Sequence, residues 1–163
     1  MKHQYWAKYH TNPIYHDGAN RSNQRSSKFN SKDLKYFTNV EDLPHFHPEY
    51  IKNVRIIHRQ GSNNNNNIEF EQEASFHGKK IKSLNRLIRH ENSIKIETID
   101  GNGKGSRTNV RCQELGAENT RITLEGELHY GLLEKLLSGS IHGITERMLE
   151  EDVRNIERRP IES

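Results

Sequence analysis

At 163 residues the chain has room for one domain of ordinary size and not for two. Leu, Ile, Val and Phe number 36, and only Ile14 and Phe29 of them fall in residues 1–30, so a hydrophobic core belongs to residues 31 onward. Charge divides at the same place: residues 1–32 carry a net +5 and the remainder a net −2, so the pI of about 9.0 arises at one end and no nucleic-acid partner is expected.

Residues 1–30, rich in Asn, Ser, His and Arg, read as a basic, disordered N-terminal tail ahead of a domain spanning residues 31–158. A solvated segment outweighs a metal role for its His3, His10 and His16. Asn30 or Ser31 caps a short helix through Leu34 and Phe37, with Asp33 in the first turn where negative charge suits the helix dipole. A second short helix or turn from Glu41 is stopped or kinked by Pro44 and Pro48.

Strand signals then dominate. Asn53–Arg59 is a strand, followed by the polar connection QGSNNNNN. In the next segment Ile68, Phe70, Gln72, Ala74 and Phe76 share one face and Glu69, Glu71, Glu73, Ser75 and His77 the other, the alternation of a half-buried antiparallel strand. Lys80–Glu91, Ile94–Ile99, Ser106–Leu115 and Thr120–Tyr130 continue the series, giving a six-strand antiparallel meander. From Gly131 the period becomes helical, with Leu133, Leu136, Leu137, Ile141, Ile144, Met148, Val153 and Ile156 on one stripe and Pro160 just beyond. A helix of more than twenty residues with so wide a stripe needs a large apolar surface, and a curved sheet supplies it.

Three motifs bear on chemistry. His45 and His47 flank Phe46 between two prolines, but a structural zinc needs four ligands and no pair at suitable spacing completes the set, so no metal is expected. The run DGNGKGS fails as a calcium loop, because Lys104 and Arg111 fall where oxygen ligands belong, and reads as a hairpin turn. Cys112, the only cysteine, permits no internal disulfide and falls on an inward face with Thr108 and Val110 as an inert buried thiol. With no secretory signal and no run of membrane-span length, the expected compartment is the cytoplasm.

The order of elements resembles the START-like, or helix-grip, superfamily, and more narrowly its SRPBCC branch of polyketide cyclases/dehydrases and lipid-transport proteins. The residues carrying the likeness are LKYFTNVEDLPHFHPEYIKNV, GKGSRTNVRCQELGAENTRITLEGEL and GLLEKLLSGSIHGITERMLEEDVRNIE. The resemblance implies an α+β fold in which a curved antiparallel sheet of about six or seven strands wraps around the long C-terminal helix, with two short helices near the start. Such proteins carry a first strand before the first short helix. Here that slot holds a poor strand former, so either SSKFN forms a minimal strand, QYWAKYH reaches back to do so, or the sheet lacks it.

The resemblance also implies a cavity between sheet and helix that binds or transports a hydrophobic small molecule, a lipid, isoprenoid or polyketide-like compound, without a cofactor. Alternation places Phe70, Gln72, Ala74 and Phe76 in its lining, with Ile94, Ile96, Thr108, Val110 and Cys112 from the middle of the sheet. Leu124, Leu128 and Tyr130 follow from the last strand, and Leu137, Ile141 and Ile144 from the helix. The strand after His77 has ambiguous phase, so either Ser83 and Asn85 or Leu84 and Arg86 face inward. Phe46, Pro48 and Tyr50 are expected to form a gate, with His45 and His47 facing outward or toward the mouth.

A cyclase/dehydratase-type enzyme is the alternative, working by proton transfer from Tyr130, Arg86, Gln72, Asn85 or His58. These supply no acid-base pair, which leans the reading away from catalysis. The third reading is an interaction module whose basic tail makes weak contact with an acidic surface. Gly139 and Gly143 in the helix each cost about 1 kcal/mol against alanine, which close packing would offset.

Overall fold

The computed structural model describes residues 5–10, 14–17, 31–61, 66–114, 119–130 and 141–158. In chain order the elements are β1 (Tyr5–His10), β2 (Ile14–Asp17), α1 (Ser31–Thr38), a short 3-10 turn (Val40–Asp42), α2 (Leu43–Phe46) and β3 (Ile51–Gln60). Then come β4 (Asn67–Phe76), β5 (Lys79–Arg89), β6 (Ser93–Gly101), β7 (Arg107–Glu114), β8 (Asn119–Tyr130) and α3 (Ile141–Glu157).

Strands β3 to β8 form the expected antiparallel meander, each paired with its neighbour in sequence. At the far edge β8 pairs antiparallel with two short strands: β1 along Glu125–Tyr130 and β2 along Asn119–Ile122. Within the segment read as a tail, residues 5–10 and 14–17 are thus strands of the sheet. The sheet's first strand lies well ahead of the first helix, within the QYWAKYH segment, and among the described residues the sheet has eight strands. β8, with twelve residues, is long enough to template both. SSKFN lies outside the described residues.

Two details of β3 follow from its place at the opposite edge. Register shifts between Ile51 and Asn53 and between Ile56 and His58 break its alternation, which leaves Ile57 as an exposed large hydrophobic residue. Bulges and exposed Lys52, Arg55 and His58 are common devices for blunting an edge against unwanted pairing.

The concave face divides into a sealed core and an open end. Ile68, Leu87, Ile94, Cys112 and Ile122 from the sheet pack with Leu34, Tyr36 and Val40 from the first helix and turn, and with Leu149, Val153 and Ile156 of α3. A satellite cluster holds Tyr50, Ile51, Ala74 and Ile144. The buried positions of α3 recur at 144, 149, 152, 153 and 156, a helical face that includes one acid, Asp152. Met148 is only partly buried, and Leu149, absent from the predicted stripe, is fully so. Helical structure is described from Ile141, and the predicted residues before it, Leu133, Leu136 and Leu137, lie outside the described residues. Close packing does not explain Gly143: it is exposed, and a Cβ there would meet nothing within 4 Å.

The run DGNGKG is the β6–β7 hairpin, and its three glycines all adopt positive φ: Gly101 at 80°, Gly103 at 77° and Gly105 at 94°. At Gly101 space also matters, because a Cβ would lie 2.6 Å from the Lys82 carbonyl oxygen. Among the described residues, no helix is long and apolar enough to cross a membrane.

Candidate functional site: a cavity between sheet and helix

Beyond the sealed core the sheet and α3 diverge around a cavity of about 350 Å³, within the range of small-molecule sites. Its apolar wall comes from Phe70, Phe76, Ile96, Val110, Leu124 and Leu128 on the sheet and from Ile144 and Met148 on α3. The first helices close another side with Phe37, Leu43 and Phe46. Phe46 stacks on Tyr36 with ring centroids 4.6 Å apart.

Two hydrogen-bonded polar clusters lie on its wall. On the sheet wall Ser83, Asn85 and Thr98 face the cavity, because Asn85 pairs with Phe70 on one side and Thr98 on the other. The Thr98 hydroxyl donates to Asn85 Oδ1 at 2.9 Å and Asn85 Nδ2 donates to Ser83 Oγ at 3.0 Å. This settles the phase of β5: Ser83 and Asn85 point in. Arg86 points to the outer face, where its guanidinium bonds Glu69 Oε1 at 2.8 Å.

The second cluster joins α1, α2 and α3. His47, 1% exposed, ends α2, and its carbonyl accepts from the backbone N–H groups of Tyr50 and Ile51, turning the chain into β3. Its Nδ1 lies 2.7 Å from Glu151 Oε2 and its Nε2 lies 2.8 Å from Asp152 Oδ1. The same Asp152 oxygen accepts the Tyr36 hydroxyl at 2.8 Å, and Asn155 Nδ2 donates to that hydroxyl at 3.1 Å. Tyr36, His47 and Asp152 all line the cavity.

Burial alone would lower the His47 pKa, but hydrogen bonding and negative charge from Asp152, and then from Glu151, outweigh it and raise the pKa. The imidazolium form donates from both nitrogens at once, which a neutral ring cannot do. For Asp152 burial dominates and raises the carboxyl pKa, against the hydrogen bonds from His47 and Tyr36.

Most of the predicted lining residues lie together: Phe70, Gln72, Phe76, Asn85, Ile96, Thr108, Val110, Leu124, Leu128 and Ile144, with Phe46 from the expected gate. Others do not. Ile94 and Cys112 belong to the sealed core, one layer too deep. Ala74 is buried in the satellite cluster against Tyr50, whose ring stacks on Phe76 at 5.6 Å, so Tyr50 props the wall from behind. Pro48 and His58 are exposed, and Arg86 faces away. Leu137 and the side chains of Tyr130 and Ile141 lie outside the described residues.

His47 is the largest departure from expectation, since it lies inside the protein, clamped by two acids, while His45 is exposed. Asp152, Tyr36, Ser106 and His129 were also missed. The hairpin turn brings in Ser106, whose Oγ accepts the His129 backbone N–H at 2.8 Å. Asp152 had a signal: it falls four residues after Met148 and four before Ile156, on the apolar stripe.

No family model matches the chain and no curated protein matches it. Solved structures do. A START superfamily protein from Mycobacterium smegmatis is 12% identical, with a TM-score of 0.68 over 96% of this chain and 98% of that one. The Zhui aromatase/cyclase from Streptomyces is 13% identical, with a TM-score of 0.66 over 96% of both chains. Norcoclaurine synthase from Thalictrum flavum is 12% identical, with a TM-score of 0.62 over 96% of this chain and 97% of that one. At these identities the likeness is one of fold, and the chain has the helix-grip fold these proteins share.

Proposed function

We propose that the protein binds a hydrophobic small molecule in the cavity between sheet and α3. The observation carrying this reading is the cavity itself: about 350 Å³, walled mainly by aromatic and aliphatic side chains with a smaller set of polar groups among them. Phe46 and Leu43, on the short α2 segment, form the gate through which a ligand enters. Proteins of this fold include a norcoclaurine synthase in complex with dopamine and hydroxybenzaldehyde and an aromatase/cyclase, so the fold accommodates both ligand binding and catalysis.

Catalysis by proton transfer has one supporting feature here, the titratable group of Tyr36, His47 and Asp152 on the cavity wall. Against it, both His47 nitrogens are engaged by carboxylates, so the ring has no free lone pair with which to take a proton from a substrate. Binding is therefore the better reading.

The test is titration with the uncharged fluorescent probe N-phenyl-1-naphthylamine. Leu124→Trp or Ile144→Trp, each filling the cavity from a different wall, should weaken probe binding at least tenfold while far-UV circular dichroism stays unchanged. Equal affinity in both variants would sink the proposal.

A further inference from the structure

We infer that the cavity selects hydrophobic molecules whose polar end is a hydrogen-bond donor, a hydroxyl or a protonated amine, and that Asp152 receives that donor; this rests on the ligand-binding reading above. Asp152 is 7% exposed and lines the cavity. Its two hydrogen bonds, from the Tyr36 hydroxyl and from His47 Nε2, both land on Oδ1 at 2.8 Å. Among the described residues nothing donates to Oδ2. The Asp152 side chain keeps 9% exposure, so a ligand can reach it, and a ligand hydroxyl or ammonium improves the solvation of a carboxylate in so apolar a setting where an apolar group or a carboxylate does not.

The surroundings hold the acceptor in place. Asn155 donates to the Tyr36 hydroxyl and so aims that hydroxyl's own proton at Asp152, while His47 fixes the carboxylate from the other side. Both partners of Oδ1 are thereby fully committed, and the remaining oxygen is pre-oriented rather than free to rotate into them.

Charge points the same way. One imidazolium lies between two carboxylates, Glu151 and Asp152, so the acids outnumber the base in this cluster. Among the described residues the cavity wall contains no lysine or arginine to receive an anionic head group. The second polar cluster, Ser83, Asn85 and Thr98, is uncharged and suits a second neutral polar atom of the same ligand.

The experiment displaces bound N-phenyl-1-naphthylamine at pH 7 from the full chain with three probes of equal chain length: decylamine, decanol and decanoate. Decylamine and decanol should displace it at concentrations at least tenfold below decanoate, and Asp152→Asn, checked by circular dichroism, should remove the advantage of decylamine. The wild-type ranking stands without the variant, should that variant fail to fold. Decanoate matching or beating the other two overturns the inference, as does failure of all three to displace a dye that binds. A ranking unchanged in folded Asp152→Asn removes Asp152 as the receiver. Failure of the dye itself to bind would instead refute the ligand-binding reading on which the inference rests.

Discussion

Replacing His47 with alanine tests the interior most directly. The ring is 1% exposed and joins α2 to two carboxylates of α3, so its removal strands Asp152 beside Tyr36 in an apolar setting. Breaking a buried pair by deleting one partner costs about 3–5 kcal/mol. Glu151 contributes little of this, because its side chain is 28% exposed and water replaces the lost donor. With a urea dependence of about 2 kcal/mol per molar for a domain of this size, the unfolding midpoint should fall by about 1.5–2.5 M.

The pH dependence follows from the same contacts. His47 has a raised pKa in the folded protein, so its stabilisation is fully present below the ordinary histidine value and is lost as pH rises through the higher folded value. Asp152, raised by burial, has the same sign: stability falls as pH climbs from the ordinary aspartate value through the folded one. Wild-type stability should therefore decline on the alkaline side of pH 6.5, and His47→Ala should lose the part of that decline that the imidazole contributes while keeping the part due to Asp152. Urea titrations followed by circular dichroism at several pH values measure both. A loss under about 1 kcal/mol at pH 6, the size of an exposed pair, would refute a buried charge clamp.

Further outcomes follow from single contacts. Gly101→Ala, with φ at 80° and a Cβ 2.6 Å from a backbone oxygen, should destabilise by about 1–3 kcal/mol in the same titration. Leu149→Ala, fully buried where α3 meets the sealed core, should cost about 2–5 kcal/mol, whereas the neighbouring Glu150→Ala on the solvent face should change the midpoint very little. Arg55 and Glu71 form an exposed pair, so replacing both with alanine should shift stability by less than about 1 kcal/mol; a larger loss would mean that the β3 edge depends on that pair.

Much of the architecture was legible in the sequence because it is written in local periods. A period of two marked β4 and β8, strand-forming runs between turn signals marked the other strands of the meander, a helical period marked α3, and the order of these elements resembled the helix-grip arrangement. The same alternation located the cavity faces of β4, β7 and β8, since inward and outward are properties of neighbouring residues. Depth along a face was not legible. Ile94 and Ile96 share a face, yet one is sealed into the core and the other meets the cavity, a difference that alternation along one strand does not encode.

Other decisions needed the tertiary structure altogether. β1 and β2 form against a long template strand more than a hundred residues away, a pairing that their own composition, though it contains the strand formers Tyr5, Trp6, Tyr9, Ile14 and Tyr15, does not specify. The pairing of β4 with β5 placed Asn85 inward and Arg86 outward, where sequence left either choice open. His47 meets Glu151 and Asp152 across 104 and 105 positions of chain, and no spacing rule connects residues so far apart. The sequence by itself determined which residues repeat on a face; only folding decided which faces meet, and the charged cluster at the cavity exists because two of them do.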